Sequence, residues 1–281
     1  MDLEKRVNAF VQLGIKLQKL EEDQLDEFQF RTRSMNKWFD ETSVNHALNG
    51  IIYLLQKERL ENFVQQYQFT ELPKKVGIVM AGNIPAVGFH DYLCVLLAGY
   101  ELHAKLSSQD NYLLRAIHQL LVEIEPAFGE KVNFTEKIVI TDIDAMIATG
   151  SDNSARYFEQ YFSKVPNIIR KNRTSCAIMT GEESEEEMYN LGRDIFEYYG
   201  LGCRNVSKLF VPKDYDFVPF LDQMGYTAIL TMVVIIVVSY IQNKGAKDSK
   251  GIEISKSTFE TSGIFNITSF AIMLILVALY A

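Results

Sequence analysis

The sequence is poor in the residues that staple or punctuate small folds. Its 281 residues hold three cysteines, four histidines, six prolines and one tryptophan. The cysteines, at positions 94, 176 and 203, form no CxxC pair, so no metal site is expected and reduced cytosolic thiols are the default. No basic run interrupts a chain of net charge −8, which argues against nucleic acid as the partner. No Gly-x-Gly-x-x-Gly follows an apolar run, so the ordinary dinucleotide fingerprint is absent. The opening MDLEKRVNAFVQLG is acidic early and lacks a long apolar stretch, unlike a secretion signal. Internal repeats and low-complexity tracts are also missing.

What is present is a globular composition, 48% hydrophobic and 23% charged, over a length that suits one large or two small domains. Hydrophobicity is unevenly spread. Residues 223–243 carry no charge, and neither do residues 261–281. Each window is just long enough for a membrane-crossing helix. The chain therefore changes character near residue 222, and 223–281 reads as two transmembrane helices around a polar loop, 243–262.

Residues 1–71 read as an N-terminal helical region, with Val7, Phe10, Val11, Ile15 and Leu17 at helical spacing. A second amphipathic stretch, 44–67, is broken only by Gly50, and Pro73 closes the region. From 72 to 222 the texture alternates. Strands are expected at 76–82, 101–106, 137–140, 175–180 and 208–212. Helices are expected at 87–99, 110–124, after a cap at Asp152 or Asn153, and through the acidic stretch that closes on Gly200. Alternation of this kind predicts βαβ units, an α/β fold with a mostly parallel sheet.

Two constellations could carry chemistry. Gly82-Asn83-Ile84-Pro85 places an amide at the exit of a buried strand, where open α/β sheets bind ligands. Turn chemistry alone also explains Asn and Pro there. Cys203 lies in Gly200-Leu201-Gly202-Cys203-Arg204-Asn205, between a helix end and a strand. The glycines let backbone N–H groups approach a carbonyl, and Arg204 adds charge favouring a thiolate. The plainer alternative is a small core thiol, and Cys94 and Cys176, inside apolar runs, are read that way. His90 and Asp91 at a helix start are read as surface or capping groups. Lys105 with Ser107 and Ser108 at a strand end suits a ribose or phosphate, or is a solvated lysine.

Taken together these segments resemble the aldehyde dehydrogenase superfamily, and within it the fatty-acyl-CoA reductases of the bacterial bioluminescence type. The resemblance rests on four landmarks in order: Asn83-Ile84-Pro85 after a strand, Lys105 and Ser107 after the next, Thr149-Gly150-Ser151 before a helix, and Cys203 ahead of a strand and Asp214–Phe217. It implies NADPH as cofactor, a fatty acyl-CoA as substrate and Cys203 as nucleophile. Asn83, with a backbone N–H near Cys203, would hold the oxyanion. It further implies that Lys105 and Ser107 face the adenosine ribose, and Gly150 and Ser151 the diphosphate.

The match stops near Leu221, where the resemblance would place a further catalytic segment. The tail resembles the last helices of bacterial sodium/solute symporters. In the loop Lys244, Lys247, Lys250 and Lys256 are diluted by Asp248, Glu253 and Glu260. That charge tendency favours a cytoplasmic loop. The expectation is nonetheless a cytoplasmic reductase-like part anchored to the inner membrane, able to form a homo-oligomer and inactive if truncated. Other readings are a non-catalytic, membrane-anchored nucleotide-binding protein, a symporter fragment, or a joining of unrelated pieces.

Overall fold

The N-terminal helices form where side-chain caps and apolar stripes coincide. Helix α1 (Leu3–Gln18) begins on Asp2, whose carboxylate accepts the Lys5 N–H at 2.8 Å. Helices α2 (Glu22–Met35), α3 (Glu41–Leu54) and α4 (Lys57–Val64) follow. Gly50 does not break the second stretch. Helix α3 runs through it, and the chain interrupts at Leu55, which is buried against Gly14 of α1.

A computed structural model describes residues 1–69 and 74–221. Pro73 and the two apolar windows lie outside the described residues. Among the described residues no helix is long and apolar enough to cross a membrane. All of them fall within one unit, Met1–Met224.

The α/β part contains β1 (Lys75–Val79), α5 (Phe89–Leu97), β2 (Glu101–Lys105), α6 (Leu113–Ile124) and β3 (Val132–Phe134). It continues with β4 (Ala145–Thr149), α7 (Asp152–Tyr161) and β5 (Asn167–Arg170). The five strands form one parallel sheet in the order β3-β2-β1-β4-β5. Then β6 (Ser175–Ile178), α8 (Glu185–Phe196) and β7 (Val206–Phe210) form a separate parallel pair. The expected α/β architecture with a parallel sheet is thus present.

Four sequence expectations fail locally. Residues 137–140 are not a strand: a short 3-10 turn, Ile140–Asp142, occupies their end, and the strand beside β1 is Ala145–Thr149. Ile138 and Ile143 instead pack with Met146, Ala148 and Phe162 as a buried cluster, closing against Gly77, where any side chain would meet Met146 and Ile143. Strands β3 and β5 went unexpected, each being short with exposed positions. The cap of α7 is Ser151, whose hydroxyl accepts the Ser154 N–H at 3.3 Å, not Asp152 or Asn153. Helix α8 starts only at Glu185, behind a reciprocal cap of Ser184 and Glu187.

The helical region and the sheet share one hydrophobic core. Phe10 of α1 meets Tyr92 of α5 edge-on at 6.3 Å and Phe128 at 5.5 Å. The buried Arg6 guanidinium donates to the Leu97 carbonyl at 2.8 Å, so α1 is tied to the end of α5. Tyr92 is fully buried, and its hydroxyl lies 2.8 Å from His118 Nδ1 on α6. Burial pushes the His118 imidazole down to about 4, so it is neutral at physiological pH.

Candidate active site

Strand order reverses between β1 and β4: the chain steps from β1 to β2 and β3 on one side, and from β4 to β5 on the other. The crevice at the carboxyl ends of such adjacent strands is where open α/β sheets bind ligands. Three stretches expected from the sequence leave the sheet along this edge. The turn with Asn83 follows β1, Lys105 ends β2, and Thr149-Gly150-Ser151 leads from β4 into α7. Lys105 pairs with Val79 in register, and its carbonyl accepts the Met80 N–H at 3.0 Å.

The turn after β1 is held in a conformation that few residues adopt. Ala86 has φ of +50°, which is unfavourable for a residue with a side chain. Its N–H donates to Asp110 Oδ2 at 2.7 Å. Asp110 is buried, and its other oxygen has no partner. Burial pushes the Asp110 carboxyl up to about 6, against the Ala86 bond, which works to lower it. Gly82 packs so closely that a side chain there would sit 2.4 Å from Ser107 Oγ. Ser107 Oγ accepts the Gln109 N–H at 3.2 Å, so this hydroxyl organises its own turn.

Asn83 reaches the cysteine loop. Its Nδ2 donates to the Leu201 carbonyl at 2.6 Å, across 118 residues of sequence. Two positions on, Cys203 is exposed. The residue that shapes this loop is Asn205, which the sequence reading passed over. Asn205 Oδ1 accepts the Gly202 N–H at 2.7 Å, while Nδ2 donates to the Asp194 and Glu197 carbonyls at 2.9 and 3.0 Å. A side chain at 202 would collide with that oxygen at 2.5 Å, so the position is kept glycine. Gly202's N–H is thereby committed and is not a free oxyanion donor. An Asn closing a glycine-flanked turn was the available signal.

A second cluster lies on the same edge. Arg170, at the end of β5, donates to Asp91 Oδ2 at 2.5 Å. Asp91 is buried in the first turn of α5. Burial opposes its ionisation, yet His90, 3.8 Å away, and the Arg170 bond outweigh this and hold the carboxyl below its usual range. Arg170 in turn is raised by Asp91 and lies within electrostatic range of Cys94 and Cys203. Arg170, rather than the exposed Arg204, is therefore the cation paired into this edge. Neither other cysteine is a core thiol: Cys176 is exposed on β6, and Cys94 is half-buried, 3.8 Å from His90 Nδ1. His90 is raised by Asp91 and then Cys94, so it is more than the plain surface group expected.

Just before the cysteine loop a short 3-10 turn, Glu197–Gly200, carries Tyr198 and Tyr199 at φ of +52° and +57°. Contacts with the N-terminal region hold them there. Tyr199 donates to Asp40 and meets Trp38 edge-on at 5.3 Å, while His46 lies 3.1 Å from Glu197. Between α3 and α8, Asp40, His46, Tyr198 and Tyr199 line a cleft of about 440 Å3 with Phe196 and Arg193. Among the described residues no group of three or more His, Cys, Asp or Glu side chains could hold a metal ion.

For a dinucleotide, this edge supplies the Lys105 ammonium at the end of β2 and the backbone N–H groups from Ser151 into α7, whereas the Gly150 N–H is already donated to the Arg170 carbonyl at 3.2 Å. Gly150 is required by packing, since a side chain there would meet Ser154 at 2.9 Å and Phe158 at 3.0 Å. The helix can thus start hard against the strand end, as phosphate-binding turns demand.

No family model matches the chain. Over 62 residues, 22% of this chain and 11% of the other, it is 45% identical to a sodium/glucose cotransporter of Vibrio parahaemolyticus. Solved structures give a wider likeness. One is the indole-3-acetaldehyde dehydrogenase AldA of P. syringae in complex with NAD+ and IAA, with TM-score 0.62 at 16% identity, over 80% of this chain and 50% of that one. Another is the glyceraldehyde-3-phosphate dehydrogenase GapN of Methanocaldococcus jannaschii complexed with NADP, at 0.59 and 12%, over 82% and 55%. A third is an aldehyde dehydrogenase of Bacillus cereus in complex with NAD+, at 0.58 and 16%, over 82% and 50%. The chain spans about half the length of these structures. Its described residues have the parallel-sheet α/β fold found in aldehyde dehydrogenases.

Proposed function

We propose that this chain uses NADPH to reduce a fatty acyl-CoA to an aldehyde through a thioester on Cys203. The observation that carries the reading is the 2.6 Å bond from Asn83 Nδ2 to the Leu201 carbonyl, which puts an amide donor beside the loop of the exposed thiol. In this reading the Cys203 thiolate attacks the thioester carbonyl, and the second N–H of Asn83 meets the developing oxyanion. The carbon–sulfur bond to CoA then breaks and CoA leaves as its thiolate. A nicotinamide dinucleotide, held by this edge, would supply the hydride that reduces the acyl-enzyme, and the Cys203 thiolate would leave as the aldehyde forms.

Lys105 would hold the adenosine ribose and the Ser151 N–H would meet the diphosphate, while Gly150, its own N–H donated to the Arg170 carbonyl, would let the diphosphate approach closely. Ser107, folded into its own turn, supports that site more than it reaches into it. Arg170 stabilises negative charge near Cys203, oriented by Asp91. The aromatic cleft ahead of the loop, lined by Phe196, Tyr198 and Tyr199, takes the acyl chain. The soluble part sits in the cytoplasm, anchored to the inner membrane by 223–281, and forms a homo-oligomer.

The same Asn83 bond favours a second reading. With the amide latched on Leu201, the chain would bind the nucleotide without turning over, as a membrane-anchored binding protein.

Radiolabelled long-chain acyl-CoA separates the two. Label that stays on the full chain, is released by hydroxylamine and is lost in Cys203→Ala supports the reductase. A folded, NADPH-binding protein that takes no label sinks it.

A further inference from the structure

Asp110 lies in neither the nucleotide nor the nucleophile set, yet it touches the backbone of both turns. It closes the turn after β2: its own N–H donates to the Ser107 carbonyl at 3.1 Å, and Ser107 and Asp110 bridge as a short antiparallel pair. Its Oδ2 accepts the Ala86 N–H at 2.7 Å from the turn after the neighbouring strand β1, three residues beyond Asn83. The side chain is 6% exposed and the second oxygen has no partner.

A carboxylate is an expensive way to cap one N–H inside a protein. Something must offset that cost, and the strained backbone it faces supplies the reason. Ala86 stands at φ of +50° directly after Pro85. Without a firm acceptor, the cheapest relaxation is for Ala86 to rotate back to negative φ. Pro85 cannot absorb such a rotation, because its ring fixes its own φ. The motion would pass to Ile84 and Asn83. Gly82 cannot absorb it either, being packed against Ser107 within 2.5 Å of where a side chain would begin.

We infer that Asp110 is a positioning residue, clamping the turn that bears Asn83 to the turn that bears Ser107 so that the two move as one body. The catalytic part of this inference rests on the function proposed above; the clamp itself does not. Asp110 touches no reacting atom and acts through the backbone of Ala86.

Hydrogen exchange of the Ala86 amide in the full chain tests the clamp, without nucleotide or substrate. In Asp110→Ala it should exchange at least about tenfold faster, the size expected for losing one buried hydrogen bond. In Asp110→Asn, whose amide oxygen can still accept, it should stay near wild type. If Asp110→Ala does not fold, Ala86→Gly relieves the strain. The double variant with Asp110→Ala should then exchange about tenfold faster at position 86 than Ala86→Gly alone. Equal exchange in either comparison overturns the clamp.

The catalytic part is read from Cys203 acylation. Asp110→Ala should slow the rate at saturating acyl-CoA about tenfold, with little change in the half-saturating concentration, and Asp110→Asn should largely restore it. Faster exchange with unchanged acylation overturns the positioning role. A wild type that forms no acyl-enzyme overturns the reductase reading and its catalytic extension, while the exchange result still decides the clamp.

Discussion

The carboxamide of Asn205 accepts the Gly202 N–H at 2.7 Å while its amino group donates to carbonyls at the end of α8. One side chain thereby sets both the shape of the Cys203 loop and its attachment to the helix before it. Asn205→Ala should lower stability by about 2 kcal/mol, since several partly buried groups lose partners together. Asn205→Asp should cost more, because its carboxylate would face those carbonyls. Denaturant melts of the three proteins give the order, and a milder Asp would refute the assigned amide orientation.

The Arg170–Asp91 pair predicts which cation governs the thiol. Alkylation of Cys203 by iodoacetamide at neutral pH, followed site by site in a mass spectrometer, should slow several-fold in Arg170→Met. Arg204→Met should change it less, although Arg204 is the chain neighbour. Equal effects would remove Arg170 from the site. Arg170→Met should also cost about 3 kcal/mol in stability, because it strands the buried Asp91 carboxylate.

The buried Asp110 and the half-buried His118 bend the pH dependence of folding in opposite directions. His118 has a folded value of about 4, below its unfolded value of 6.5. Its neutral form is favoured by the fold, so stability is lost as pH falls from 6.5 towards 4. Asp110 has a folded value of about 6, above 3.8. The fold favours its protonated form, so stability is lost as pH rises from about 4 through 6. Asp110 contributes up to roughly 3 kcal/mol, and the half-buried His118 less, because solvent screens it. Comparing denaturant midpoints at pH 6.5 and 4.5, His118→Gln should be less acid-sensitive than wild type and Asp110→Asn more so. Matching shifts in both variants would show that neither group titrates as assigned.

Gly82 and Ser107 should be coupled. In Gly82→Ala the new methyl would stand 2.4 Å from Ser107 Oγ and 2.5 Å from Ser107 Cβ. NADPH binding should weaken about tenfold as the second turn is pushed aside, an effect of roughly 1.4 kcal/mol. Ser107→Ala keeps the offending Cβ and should not rescue, whereas Ser107→Gly should. Titrations of wild type, the three single variants and the two double variants complete both cycles, and rescue by Ser107→Ala would point to the hydroxyl instead.

The sequence carried the sheet well where strands are long and buried. Gly77-Ile78-Val79 and Leu102-His103-Ala104 announce themselves as apolar runs stopped by turn residues. It misled at Lys137–Ile140, whose β-branched residues read as a strand although only Ile138 is buried, in the cluster with Met146, while Val139 is exposed. Short runs have the same texture in either role, and only the competition for the place beside β1 decides. Asn83 and Cys203 were legible because turn residues and a flanked thiol advertise themselves locally. Asn205, Asp110 and Arg170 were not, because each acts on residues far away or around a turn. Arg170 also sat in a strand too short and exposed to be noticed.

The pairing of Val76 with Ala145 has a kinetic meaning. Strand β1 can zip to β2 across a short α5 crossover, but it meets β4 only after a loop of nearly 70 residues has closed. The crevice between them is therefore absent from any chain that has formed its local hairpins of helix and strand and nothing more. A ligand for that crevice finds its site only when the long-range pairing is complete, so its capture rate during refolding is a direct clock for the slowest step of assembly.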